Sequence, residues 1–399
     1  MTRVRGLLLS LLAAVLAVGL APDPASATAP TVRFATFNAS LNRGTEGELL
    51  ADLSTPDDPQ AQEAAEVIQR VRPDVLLINE FDYVPDNAAA DAFRANYLAV
   101  GQQGADPIDY PYAYTAPVNT GVPTGFDLDH NGQVSGGNDA HGFGLFEGQY
   151  GLLVLSKHPI AFDEIRTFQN FLWKDMPGAL LPDDPATPEP ADWYPDAALD
   201  VLRLSSKSHW DVPITVGRRT VHFLVAHPTP PTFDGPEDRN GVRNHDEIRF
   251  WADYVGSRRQ SRYIYDDQGD RGGLRPGSRF VIAGDYNADP LDGDSVDGAV
   301  NLLLDHRRIA DPEPTSEGAV IAAEEQGQAN TSHRGDPALD TADFSDTAPG
   351  NLRVDLVLPS RGLVQRGAGV FWPTPDSPLA RLNDASDHHP VYLDLQPTR

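Results

Sequence analysis

Short apolar runs that end in polar residues recur along this chain. Residues 31–37, TVRFATF, alternate as a half-buried strand and stop at Asn38. Residues 74–80, DVLLINE, stay apolar until Asn79 and Glu80, and 149–156, QYGLLVLS, form a third run. Strands are also predicted over 209–216 and 219–226, with Gly217-Arg218 as the turn between them and His227-Pro228 after the second. In 279–290, RFVIAGDYNADP, the run Phe280 to Ala283 is bounded by Gly284 and followed by Asp285, Tyr286 and Asn287. Residues 352–358, LRVDLVL, carry Asp355 within a strand, and Val391 to Leu395 form the last one, just after Asp387, His388 and His389.

Between these runs the period changes to that of a helix. Asp58-Pro59 reads as an N-cap and first helical residue, Ala61, Ala64, Ala65, Ile68 and Val71 share one face, and Pro73 ends the helix. A second helix is predicted from Asn244 as cap, with Glu247 as its capping-box partner and Ile248, Trp251 and Val255 facing the core. Shorter helices fall near 91–100 and 297–305. The β-α-β order suggests layers of helix and sheet. Three long segments, about 101–149, 163–207 and 311–350, read as loop insertions; residues 171–198 look like surface, and 311–350 look loose and acidic. No repeat and no linker divides the chain, so residues 28–399 are expected to form a single domain.

Composition narrows the setting. Arg3 and Arg5, the apolar stretch Leu7 to Leu20 and the small residues Ala25-Ser26-Ala27 match a secretory signal over residues 1–27. The apolar stretch is short for a membrane span, and Pro22, Asp23 and Pro24 follow at once. A secreted, extracellular protein is expected, without a membrane span and as a monomer. There is no cysteine, which excludes disulfides, thiol chemistry and a lipoprotein anchor. With 31 basic and 58 acidic residues the net charge is −27, a poor balance for gripping long DNA by its phosphates, although carboxylates gather divalent cations.

Asn38, Glu80, His227, Asp285, Asn287, Asp355, Asp387 and His388 arrive in order at or near strand ends. Singly, an Asp or Asn at such a place also fits a capped turn. Eight such positions arriving in order are hard to assign to turns. A second candidate lies in 125–139, GFDLDHNGQVSGGND, where Asp127, Asp129 and Asn131 alternate before Gly132. That is the first half of a calcium loop, with Asn138 at the twelfth position and Asp139 beside it. An Asx-rich turn is the other reading, and no flanking helices are evident.

The markers FATFN, DVLLINE, QYGLLVLSKHPI, VAHP, GDYNADP, RVDLVL and SDHHPV resemble those of the endonuclease/exonuclease/phosphatase superfamily over about residues 31–396. One departure is Asn79 before Glu80, where glutamine is commoner. The resemblance implies an α+β, four-layer α/β/β/α sandwich, two packed mixed β-sheets flanked by helices, with the site at one end. It implies Glu80 as principal ligand of Mg2+ (or Mn2+ or Ca2+), with Asn38 and Asp387 close by. His388 would pair with Asp355, Asp285 would orient or deprotonate the attacking water, Asn287 would hold a phosphate oxygen and His227 would donate to it. Asp285 and His388 both remain candidates for the base. Asn240, Arg243 and Tyr150 are second-tier substrate contacts, and Lys207 and His209 read as exposed surface at the start of a strand. The expected function is a secreted divalent-metal-dependent phosphoesterase acting on a phosphate-ester substrate. An extracellular nuclease acting on nucleic acid is the alternative, and a catalytically silent binding protein is a third.

Overall fold

Alternation along the strands decides the architecture of this computed structural model, which describes residues 31–397. In β1 (Val32–Asn38) and β2 (Val75–Asn79), Val32, Phe34, Val75 and Leu77 point into one apolar cluster, while Ala35, Phe37, Leu76 and Ile78 point into another. β3 (Tyr112–Tyr114) and β4 (Leu152–Ser156) extend the same sheet. β5 (Arg166–Thr167), β6 (His209–Val216), β7 (Arg219–Ala226) and β8 (Arg279–Asp285) build a second sheet. A two-stranded ribbon, β9 (Ala342–Asp343) with β10 (Asn351–Leu352), precedes β11 (Asp355–Pro359), β12 (Leu363–Val370) and β13 (Val391–Pro397). The first sheet has the order β12-β13-β1-β2-β4-β3 and the second β11-β8-β7-β6-β5. Each is mixed: β1 and β2 run parallel, as do β7 and β8, and the other pairs are antiparallel.

The sheets pack face to face. Phe34, Val75 and Leu393 of the first meet Val212, Phe223, Val281 and Val357 of the second in one buried cluster. Helices cover the outer faces. On the first sheet lie α1 (Glu48–Leu53), α2 (Pro59–Val71) and α3 (Ala88–Phe93), the last continued by a π-turn to Leu98. Asp58 caps α2 by accepting from Ala61 N, as its sequence predicts. α4 (Asp196–Leu199), α5 (Arg239–Tyr254) and α6 (Asn301–Leu304) lie over the second sheet, and α7 (Glu317–Gln326) adds Ala319 to the edge of the intersheet core. The result is the expected four-layer α/β/β/α sandwich. No helix among the described residues is long and apolar enough to cross a membrane. The signal-like segment 1–27 lies outside the described residues.

Three expectations change. α5 starts at Arg239 after Asp238, so Asn244 and Glu247 are interior residues of the helix and not a capping box. Both are buried crosslinks: Asn244 Nδ2 donates to the carbonyls of Thr229 and Tyr286, and Glu247 accepts from Thr229 N and Ser206 N. The spacing of a capping box cannot be told from such a network by pattern alone. Residues 171–198 are more than surface, because Trp173, Met176 and Tyr194 pack into the cluster under α5. Finally, 311–350 holds α7 and β9, and its Thr341 reaches the strand ends described next.

Candidate active site

The topology delivers the polar strand ends to one edge. Parallel β1 and β2 end together, with Asn38 opposite Asn79, β7 ends at Ala226 just before His227, and β8 ends at Asp285. Antiparallel β11 starts there, with Asp355 opposite Asp285. The chain between His388 and β13 enters at the same edge, and Val391 pairs with Thr36. Gly284 permits the closest approach: a Cβ at this position would stand 2.0 Å from the carbonyl oxygen of Ala226. Only glycine lets Asp285 sit this near His227.

Asp285 Oδ2 is the meeting point. Asn38 Nδ2 donates to it at 3.1 Å and to Glu80 Oε1 at 3.1 Å. His227 Nε2 stands 3.3 Å from the same oxygen and His388 Nε2 3.6 Å. The other Asp285 oxygen accepts Asn287 N at 2.9 Å. His388 Nδ1 lies 2.8 Å from Asp355 Oδ2, which also accepts Thr341 Oγ1 at 3.0 Å. The carboxylate, itself steadied by the hydroxyl, therefore fixes the orientation of the imidazole ring and holds a proton on Nδ1. Asn287 is anchored through Nδ2 to Pro228 O at 3.2 Å. Asp387 is exposed at the rim, 3.4 Å from Ser40 Oγ, and Ser386 Oγ donates to Asn38 O at 2.7 Å.

Charges are poised by burial. Burial pushes the Asp285 carboxyl up to about 6, with His388 opposing and Asp355 adding to the rise. Burial alone would lower His388, but the charges of Asp355 and Asp285 and the Asp355 hydrogen bond hold it well above the usual imidazole range. Burial drives His227 well below that range, aided by the positive charges of Lys207 and His388. Glu80 is raised by burial against the lowering effect of the Asn38 amide.

Glu80 makes no ion pair among the described residues; its hydrogen-bond partner is the Asn38 amide that it shares with Asp285. Two desolvated carboxylates, Glu80 and Asp285, across one amide suit a hard divalent cation, while Asn38 turns its Nδ2 toward both, its Oδ1 accepts Ser40 N at 3.1 Å and Asp387 lies at the exposed rim. Glu80 is held at φ 59°, a left-handed turn stabilised by Phe81 N to Gly151 O and Tyr83 N to Gly148 O. Asp82 supports it by accepting Arg43 N and Tyr150 N. Asp285, Asp355 and His388 also bring ligand atoms within 4.8 Å of one another. The short His388–Asp355 hydrogen bond occupies that group with a proton, which favours a proton-handling role there.

The second-tier residues separate. Tyr150 is half-buried beside Asp82, at φ 56°. Asn240 Nδ2 is tied to Thr232 O at 2.7 Å. Arg243 does not fit the role of a substrate contact. Its guanidinium is buried under α5 and donates to the carbonyls of Leu204, Arg203 and His141. In the loop 125–139, oxygens of Asp127, Asp129 and Asp139 lie within 4.8 Å of one another. Asn131 contributes its backbone N–H to Asp127 and Asp129, and Asp139 accepts Leu128 N and Ser135 N.

Three contributors escape a reading of the sequence. Thr341 gives no signal, lying in an acidic stretch without period. Asp82 sits two residues past Glu80 and reads as an ordinary loop acid. Lys207 reads as surface, yet it is 7% exposed, less than any ordinary surface lysine. The signal that bears on it is the rarity of lysine in the chain, which has Lys157, Lys174 and Lys207 alone.

A model of the "Endonuclease/Exonuclease/phosphatase family" matches residues 35–388. No curated protein matches the sequence. Among solved structures, an endonuclease/exonuclease/phosphatase from Beutenbergia cavernae aligns over 92% of this chain and 72% of its own, at 18% identity and TM-score 0.49. Sphingomyelinase C from Streptomyces griseocarneus aligns over 92% of this chain and 99% of its own, at 17% identity and TM-score 0.42. The mannosyl-6-phosphatase Bt3783 of Bacteroides thetaiotaomicron aligns over 91% of this chain and 99% of its own, at 11% identity and TM-score 0.42. With the family model spanning most of the sandwich and every strand end that builds the site, the chain belongs to the endonuclease/exonuclease/phosphatase family, whose members are hydrolases of phosphoester bonds.

Proposed function

We propose that this protein is a secreted, divalent-metal-dependent phosphoesterase that cleaves its substrate by attack of water. The observation that carries the reading is the convergence on Asp285 Oδ2 of Asn38, His227 and His388, with Glu80 sharing the Asn38 amide. A cation held by Glu80, Asn38 and Asp387 would supply charge compensation to the phosphoryl and leaving oxygens. Asp285 orients the water and takes its proton, because His388, held protonated by Asp355, has no free lone pair to accept one. The His388 imidazolium and the neutral His227 offer N–H donors to the phosphoryl oxygens, where charge grows in the transition state. Asn287, braced on Pro228 O, adds an amide donor.

The calcium reading of the 125–139 loop stands beside this as a structural proposal. It is favoured by the mutual approach of Asp127, Asp129 and Asp139.

The test is a substrate panel with the mature protein: DNA, RNA, a simple phosphodiester, phosphomonoesters and phospholipids, each with chelator and with metal added back. Activity on at least one ester, lost in chelator, is expected. His388→Ala and Glu80→Ala should abolish it while leaving the fold intact, and an unchanged rate in either would sink the site assignment.

A further inference from the structure

Lys207 lies two residues before β6. His209 pairs with Ala226 across β6 and β7, so Lys207 stands at the edge where β7 delivers His227 and β8 delivers Asp285. Its segment is fixed from several sides. Asn119 N donates to Lys207 O at 2.9 Å. Ser206 N and Oγ both donate to Glu247 Oε1, at 2.6 and 3.0 Å. Gly142 packs so tightly on this backbone that a Cβ would fall 1.8 Å from Ser206 O.

Within this rigid frame the Lys207 ammonium makes no hydrogen bond and no ion pair with any described residue, although the residue is only 7% exposed. Its nitrogen is not among the partnerless polar atoms sealed from solvent. The exposure that remains thus includes the charged tip. The charges that act on it, or that it acts on, are those of Glu80, Asp285, Glu247, Arg243 and His227. Glu247 is already engaged with Ser206 and Thr229.

Holding an ammonium nearly out of water without a partner is expensive, by several kcal/mol in the general case. A compact cation with three donors beside the strand ends that carry His227 and Asp285 suits an anionic oxygen. We infer that Lys207 is a further catalytic residue, which binds a non-bridging oxygen of the substrate's phosphoryl group. The inference rests on the phosphoesterase reading above and names a residue that reading did not use. It also answers how a chain of net charge −27 attracts an anion: the positive charge is concentrated at the reacting group.

The test compares wild type, Lys207→Met and Lys207→Arg on bis(4-nitrophenyl) phosphate at saturating metal. Inorganic phosphate is the competing probe, and its binding is also measured by calorimetry without turnover. Lys207→Met is expected to lower kcat/KM by roughly 100-fold, in the range for removal of one transition-state donor. It should weaken phosphate binding at least about tenfold, the equivalent of one such contact at ~1.4 kcal/mol. Lys207→Arg should recover part of both. A folded Lys207→Met protein that binds phosphate as wild type does would overturn the inference, whatever its rate. Should that variant fail to fold, Lys207→Gln carries the same comparison. If wild type cleaves no ester, the phosphoesterase reading fails, while the calorimetric comparison still decides whether Lys207 holds phosphate.

Discussion

Replacing Asp340 by asparagine should make the protein's stability less dependent on pH. Asp340 closes the short helical turn Pro337–Leu339, one residue before Thr341, and is 7% exposed. No hydrogen bond reaches its carboxyl among the described residues. Burial, then the negative charges of Asp289, Asp292 and Asp336, push that carboxyl up to about 8. In the unfolded chain it should titrate near the ordinary aspartate value of about 3.9. Because the folded value is the higher one, this group's contribution to stability is complete below about pH 4 and is lost as pH rises to about 8. Between those limits the loss is about 1.4 kcal/mol per pH unit. From pH 5 to pH 8 it amounts to about 4 kcal/mol. An asparagine side chain cannot titrate, so the stability of Asp340→Asn relative to wild type should grow by about that amount over the same range. Reversible urea unfolding of both proteins at pH 5, 6, 7 and 8, in chelator, measures the difference, in which the titrations of groups remote from Asp340 cancel and those of Asp289, Asp292 and Asp336 enter through their coupling to it. Parallel pH profiles would refute the reasoning and show that Asp340 ionises freely in the folded state.

Two further outcomes are expected. Asp355→Asn should lower kcat by roughly 100- to 1000-fold, because a unit charge about 4 Å from the His388 ring contributes about 4 kcal/mol at an effective dielectric near 20. The near-ultraviolet circular dichroism should stay unchanged, and a kcat within threefold of wild type would show that the His388–Asp355 pair is dispensable. Calcium should raise the melting midpoint of wild type and leave that of Asp127→Ala unmoved; a wild-type midpoint indifferent to calcium removes the loop as a calcium site.

The strand ends are legible because their physics is local. An apolar run such as Phe280 to Ala283 has to be buried, and the polar group that follows has to emerge at the edge of its sheet. That makes Asn38, Glu80, His227 and Asp285 visible in the sequence. Their mutual distances are not, because these depend on two sheets packing together. Asn244 and Glu247 mislead for a related reason: a helix-start pattern is local, whereas their partners, Thr229, Ser206 and Tyr286, belong to other segments. Thr341 is invisible because its value lies entirely in one long-range contact, the hydroxyl on Asp355. Lys207 misleads because a lysine before a strand is ordinarily solvated, and only the packing of Gly142 and Asn119 around its segment removes it from water.

The Asn38 amide joins Glu80, at the end of a strand in one sheet, to Asp285, at the end of a strand in the other. The reacting geometry is therefore a gauge of how the two sheets are docked. Each sheet keeps its ladder of backbone bonds through contacts within itself, but a slip of about 1 Å between them is enough to misplace groups that must act together. Heating or mild denaturant should consequently silence the enzyme while far-ultraviolet signals still report intact strands. Substitutions in the intersheet core, at Phe34 or Phe223, should then behave as activity mutants although they lie away from the site.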